Sequence, residues 1–223
     1  MNFREYPDRD MLAIDLANVL AGEIETCLLT HDQVSFVVPG GTTPGPIFDV
    51  LCAADIDWSR VHIMPSDERW VEPDDPRSNA RQIRDRLLVN RAAMAQLVPL
   101  YADAEQPEDV LGAIAASLEP HLPISVLLLG MGDDMHTASL FPGVDGLATA
   151  LDSQAGTLGI MRPESVPEAR VTLTAQVLDG ALSKHLVIFG TDKRAALDRA
   201  TSLPPEQAPV NAVLSGMTVH WAK

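Results

Sequence analysis

Short apolar runs alternate along this chain with longer stretches in which apolar residues recur every three or four positions. Leu12, Leu16, Val19, Leu20, Ile24 and Leu28 keep that spacing across residues 11–29, which predicts an amphipathic helix. Val34–Val38 is short, mostly apolar and rich in valine, as a strand should be. It runs into Pro39-Gly40-Gly41-Thr42-Thr43-Pro44. Proline suits the first helical position, so Pro44 is expected to open a second helix reaching Ala54. Residues 61–64 predict another strand, followed by the polar loop 66–79. Ser78 is a natural N-cap for a helix through Leu88. A strand near 97–100 and a helix over 107–118 come next.

Residues 124–129 are apolar but for Ser125, the pattern of a parallel strand buried on both faces. It ends in Gly130-Met131-Gly132-Asp133-Asp134-Met135-His136. Further strands are expected near 157–161, 170–173, 185–189 and 218–221, with helices at 175–182 and 192–200. Residues 142–169, rich in glycine and proline, read as an irregular excursion. Such alternation predicts one α/β domain over residues 1–223, a mostly parallel sheet with helices on both faces in a doubly wound arrangement. Ligands of open α/β sheets bind where strands end and helices begin. Residues 39–43, 66–79, 130–142 and 190–193 all follow predicted strands at that end, so they are expected to converge.

Charge narrows the partners. Sixteen Lys and Arg face thirty-one Asp and Glu, a formal net charge of −15. A chain this acidic repels nucleic acid and anionic membranes, and aromatic residues at 4% leave little for base stacking. Neither partner is expected. A small anionic substrate would be repelled too unless a few cations were gathered locally, which draws attention to the scarce basic residues. The acidic opening MNFREYPDRD lacks a signal peptide's basic and apolar regions. No apolar run approaches a membrane span. Cys27 and Cys52 lack metal-ligand spacing and read as buried free thiols of a cytoplasmic protein.

The candidate chemistry lies in the strand-end loops. Gly40 and Gly41 permit close approach of backbone to ligand, and Thr42 and Thr43 add hydroxyl donors, a turn suited to phosphate. It matches neither the P-loop nor the dinucleotide fingerprint. Asp67, Glu68 and Arg69 stand in a row at the end of an apolar strand, where ionisable groups are costly unless paired or used. Arg69 offers a planar fork for phosphate or carboxylate. His136 follows a glycine-rich turn two residues after Asp134, a carboxylate able to orient an imidazole that carries protons near neutral pH. His31, His62, His121, His185 and His220 lack such a setting and read as structural or solvent-facing. Arg170 begins a strand, and Lys193 opens a helix, where a cation is unfavourable unless it faces an anion. No HExxH, paired-cysteine or GxSxG motif is present, and no metal site is expected.

In order along the chain, PGGTTP, SDERWV, Ser78-Asn79, GMGDDMHTASLFPG, ARVTLT and GTDK resemble the 6-phosphogluconolactonase family, within the group that includes glucosamine-6-phosphate deaminase. The resemblance spans nearly the whole chain and is most specific in HTASLFPG. It implies a deaminase-like α/β fold and hydrolysis of 6-phospho-D-glucono-1,5-lactone to 6-phosphogluconate in the oxidative pentose phosphate pathway, by a monomer without metal or organic cofactor. Transferred position by position, it makes His136 the catalytic base and Asp134 its companion carboxylate, with Asp67 facing the sugar. Gly40, Gly41, Thr42 and Thr43 would hold the phosphate, Arg170 and Lys193 would neutralise it, and Arg69 would line the same pocket. The oxyanion would be met by Arg69 or by backbone N–H groups.

Two departures bear on these roles. Many relatives place Gly between the aspartate and histidine, where this chain has Met135; a positive φ there would strain any side chain. Deaminases place a glutamate five residues after the histidine, for ring opening, and here that residue is Phe141. A lactonase does not need that carboxylate and a deaminase does. A silent sugar-phosphate sensor on the same fold is the other alternative, but such sensors usually accompany a DNA-binding module, and this chain has no basic appendage.

Overall fold

The computed structural model describes residues 1–164 and 166–223. The chain opens with a strand, β1 (Asn2–Tyr6), then the long helix α1 (Arg9–Leu28), β2 (Val34–Val38), α2 (Gly45–Leu51) and β3 (Val61–Pro65). A three-residue strand β4 (Asp67–Arg69) precedes α3 (Asn79–Arg86), β5 (Gln96–Leu97), α4 (Leu111–Leu118) and β6 (Val126–Gly130). The remainder comprises α5 (Leu147–Leu151), β7 (Leu158–Met161), β8 (Arg170–Leu173), α6 (Ala175–Asp179), β9 (Ser183–Phe189), α7 (Thr191–Ala200) and β10 (Thr218–Ala222).

Seven strands form one parallel sheet in the order β1-β10-β9-β6-β2-β3-β5. Successive side chains of a strand point to opposite faces, and both faces here are apolar. Val126 and Leu128 of β6 join a core with α1, α2 and α3, whereas Leu127 and Leu129 join one with α4, α5, α6 and α7. The apolar run of β6 is therefore the sheet's centre, covered on both sides. Strand order reverses between β2 and β6, so the loops after these two strands flank the crevice where doubly wound sheets bind ligands.

Several elements differ from expectation. Asp8 caps α1 through its side chain, accepting from the Met11 N–H at 2.7 Å, so the helix starts earlier than the apolar spacing implies. The second helix stops at Leu51, and the helix expected over 107–118 splits into a 3₁₀ turn, Pro107–Asp109, and α4. Strand β1 is half exposed and polar, leaving no hydrophobic signal. Residues 142–169 contain α5 and β7, and β7 joins β8 and β4 in a separate antiparallel sheet of order β4-β8-β7. Cys52 is buried and Cys27 only partly so; both are free. No helix among the described residues is long and apolar enough to cross a membrane.

The histidines read as structural include a buried chain. The Tyr6 hydroxyl lies 2.8 Å from His220 Nδ1, His220 Nε2 lies 3.0 Å from His185 Nδ1, and His185 Nε2 lies 2.8 Å from Glu23. With both rings neutral, each group donates to the next and every contact is satisfied. Burial pushes His220 down to about 3, and burial also lowers His62 and His121. The unfolded chain takes up protons below about pH 6.5 while folded His220 does not, so stability should fall as pH drops through that value. About 2 kcal/mol should be lost by pH 5 from His220 alone. Urea unfolding at pH 7.5 and 5 checks this; equal free energies would refute it.

Candidate active site

Four strand-end loops meet in one open cleft of about 220 Å³. From the β2 end come Gly40, Gly41 and Thr43; from the β3 end, Asp67, Arg69 and Asn79; from the β6 end, Gly132, His136 and Phe141; and from β8 and α7, Arg170 and Lys193. The fold brings together groups more than 150 positions apart in sequence: the loops after β2, β6 and β9 end at one edge of the parallel sheet, and the antiparallel β4–β8 pair adds Asp67, Arg69 and Arg170.

Local rules explain each loop. Gly41 has φ +86°, a conformation that glycine adopts without steric cost, and its N–H donates to Gln82 Oε1 at 2.8 Å. Gly40 is needed for space: a Cβ there would fall 1.9 Å from Asn79 Oδ1. Thr43 faces the cleft. Thr42 lines an adjoining hollow, which Thr43 and Lys193 line as well.

Asp67 is buried and fully engaged, accepting from Ser66 Oγ at 2.9 Å and Ser139 Oγ at 2.6 Å. Arg69 Nη1 donates to Asn79 Oδ1 at 2.8 Å and to the Arg77 carbonyl at 2.5 Å, and Asn79 Nδ2 donates to the Asp67 carbonyl at 2.8 Å. Arg170 stands opposite Arg69 in the β4–β8 ladder. Its Nε is buried without a hydrogen-bond partner among the described residues, and its nearest carboxylate, Glu168, is 3.8 Å away. Burial lowers its pKa, as does the neighbouring Arg69, yet a guanidinium remains protonated. Two like charges face each other here with one donor unused, an arrangement that favours an incoming anion. Lys193 Nζ meanwhile donates to the Met131 carbonyl at 2.7 Å.

The loop after β6 is wound tightly. The Gly132 N–H donates to the His136 carbonyl at 3.0 Å, the Met135 N–H donates to the Gly132 carbonyl at 3.0 Å, and Thr137 Oγ1 donates to the Gly130 carbonyl at 2.9 Å. Met135 has φ +67°, so the left-handed conformation that favours glycine is borne here by a methionine. The strain of a left-handed residue, ~1–2 kcal/mol, is held by packing against the core and by the Val210 N–H on its carbonyl at 3.1 Å. Asp134 does not line the cleft but keeps its assigned place beside the imidazole, 2.5 Å from His136 Nδ1. The hydrogen bond from His136 holds the Asp134 carboxyl below its ordinary value. An ionised acceptor there assigns the proton to Nδ1 and leaves the lone pair on Nε2. Phe141 packs on the imidazole with ring centroids 4.5 Å apart, and Gly132 has no room for a Cβ, which would fall 2.3 Å from the ring.

Of the residues expected at the site, Thr42 lines the adjoining hollow together with Thr43 and Lys193, and Asp134 stands behind His136. Missing from the expectation were Ser139, whose hydroxyl orients Asp67, and Asn79, which links Arg69 to the Gly40 turn. Both lie within motifs already singled out, HTAS and Ser78-Asn79, yet neither carries charge or a distinctive spacing. Among the described residues no three His, Cys, Asp or Glu side chains cluster as a metal site would.

The family model described as glucosamine-6-phosphate isomerases/6-phosphogluconolactonase matches residues 7–221. A 6-phosphogluconolactonase of Mesorhizobium japonicum is 38% identical over 229 residues, covering 99% of this chain and 95% of that protein. One from Pseudomonas aeruginosa is 40% identical over 215 residues, covering 92% and 88% respectively. The crystal structure of a 6-phosphogluconolactonase from Shewanella baltica superposes with a TM-score of 0.96 at 32% identity, over 100% of this chain and 98% of that one.

Proposed function

The chain belongs to the glucosamine-6-phosphate isomerase/6-phosphogluconolactonase family, and on that premise we propose that it hydrolyses 6-phospho-D-glucono-1,5-lactone to 6-phosphogluconate. The observation that carries the choice within the family is the imidazole of His136, backed by Asp134 and covered by Phe141. A ring-opening deaminase would need a carboxylate where Phe141 stands.

The substrate phosphate is anchored by the Gly40-Gly41-Thr42-Thr43 turn, Arg170 and Lys193, with Arg69 and Asp67 along the sugar. Water attacks the C1 carbonyl carbon while His136 Nε2 takes its proton. A tetrahedral oxyanion forms, and Asp134 stabilises the resulting imidazolium through Nδ1–H. Collapse breaks the bond from C1 to the ring oxygen, and the imidazolium returns its proton to that oxygen. The products are the free carboxylic acid and the C5 hydroxyl. Residues 1–223 act as one catalytic unit, a monomer in a reducing cytoplasm to which the free thiols of Cys27 and Cys52 are suited. The reaction needs no metal or organic cofactor, as the family resemblance implies.

Freshly generated lactone should open faster with the protein than by its spontaneous hydrolysis, followed by coupled oxidation of the 6-phosphogluconate formed. Glucosamine-6-phosphate should release no ammonia. Absence of acceleration above the spontaneous rate, or release of ammonia, overturns the assignment.

A further inference from the structure

Beneath the cleft lies a carboxylate that takes no part in the chemistry above. Glu68 is almost wholly buried, one residue from two groups that line the pocket. Its Oε1 accepts from the Arg69 N–H at 2.8 Å and the Asn79 N–H at 2.7 Å; its Oε2 accepts from the Ala80 N–H at 2.7 Å and Ser78 Oγ at 3.1 Å. All four partners are donors, so the site is built for an acceptor-only group, the ionised carboxylate. Burial pushes the Glu68 carboxyl up, and the three backbone donors oppose that rise.

These contacts join β4 to the first turn of α3. Two of the N–H groups belong to Asn79 and Ala80, which start that helix and lack partners within it. Asn79, held by its backbone, uses its side chain to orient Arg69 and to close against Gly40. One buried anion thus sets the geometry of the Arg69 side of the cleft, while the His136 loop stands on another strand.

We infer that Glu68 is a positioning residue that sets the affinity of the cleft for the substrate's anionic group by fixing Arg69 and Asn79. This rests on the lactonase reading and adds to it a split between binding and chemistry. In Glu68→Gln the best amide orientation keeps Arg69 and Asn79 on the oxygen and lets the Ser78 hydroxyl turn to accept. It still sets an amide N–H against the Ala80 N–H. Misplacement of the binding groups should raise KM for the lactone on the order of ten- to a hundredfold while kcat stays within about threefold. A purely structural lesion would instead lower the folded, active fraction and leave KM unmoved.

Steady-state kinetics of E68Q, with calorimetric titration of 6-phosphogluconate, separate the two. Ser78→Ala removes one donor and keeps the carboxylate, so it should move KM the same way by a smaller factor; it carries the test if E68Q does not fold. Unchanged KM and product affinity in the folded variant overturn the positioning role. Wild-type protein that fails to accelerate lactone opening overturns the lactonase reading instead, so the two failures are distinguishable.

Discussion

His136→Ala should lower kcat for lactone opening on the order of 10²–10⁴-fold, the usual cost of removing a general base. KM should change little, because the imidazole acts on the attacking water and the leaving oxygen while the phosphate is held elsewhere. The loss should appear as a rate approaching spontaneous hydrolysis, so initial rates must be read against that background. Fold and stability should survive: His136 lies at the cleft surface, and its main-chain carbonyl still accepts the Gly132 N–H in the variant. Asp134→Asn should have a smaller effect in the same direction, since the amide can still accept from Nδ1–H but no longer balances the imidazolium. Near-normal turnover by His136→Ala would sink the mechanism outright.

The second large effect belongs to Arg170. Its unpartnered Nε and its pairing opposite Arg69 make it the cation most committed to an incoming anion. Truncating one partner of a buried charged pair costs ~2–5 kcal/mol. Arg170→Gln should therefore reduce kcat/KM on the order of 10²–10³-fold, chiefly through KM. The chain's own charge sharpens this expectation. At a formal −15, with Asp67, Glu68 and Glu168 close by, a cleft without Arg170 would repel a phosphate dianion. Added salt should partly mask the defect, because screening weakens that repulsion. An unchanged KM would show that Lys193 and the Gly40–Thr43 turn hold the phosphate unaided.

The buried carboxylate shows where reading from sequence stops. Asp67, Glu68 and Arg69 stand out together as ionisable residues at the end of an apolar strand. Their neighbours decide their separate uses. Asp67 and Arg69 point into the cleft, and Glu68, between them, points away into a cage of four donors supplied mainly by α3. Alternation along an extended segment accounts for the opposite directions, but only if the segment is a strand. β4 is three residues long and pairs with β8, about a hundred positions later. No local pattern announces such a pairing. For the same reason nothing in the sequence separates β7 and β8 from the main sheet, and polar β1 carries no hydrophobic signal.

What the sequence by itself determined was everything governed by periodicity and local backbone chemistry. The central run at 124–129, the amphipathic first helix, Ser78 as a cap and the four loops at one edge of a parallel sheet all follow from burial pattern and topology rules. The family resemblance raised a left-handed backbone at Met135 only as a condition, and the structure shows it, at φ +67°. Only the tertiary structure decided how side chains were shared among distant segments: Asn79 wedged between Gly40 and Arg69, Phe141 laid on His136, and Glu68 placed beneath them. Local sequence sets the direction of the backbone, whereas the partners of a buried polar group come from whichever segments the sheet brings alongside.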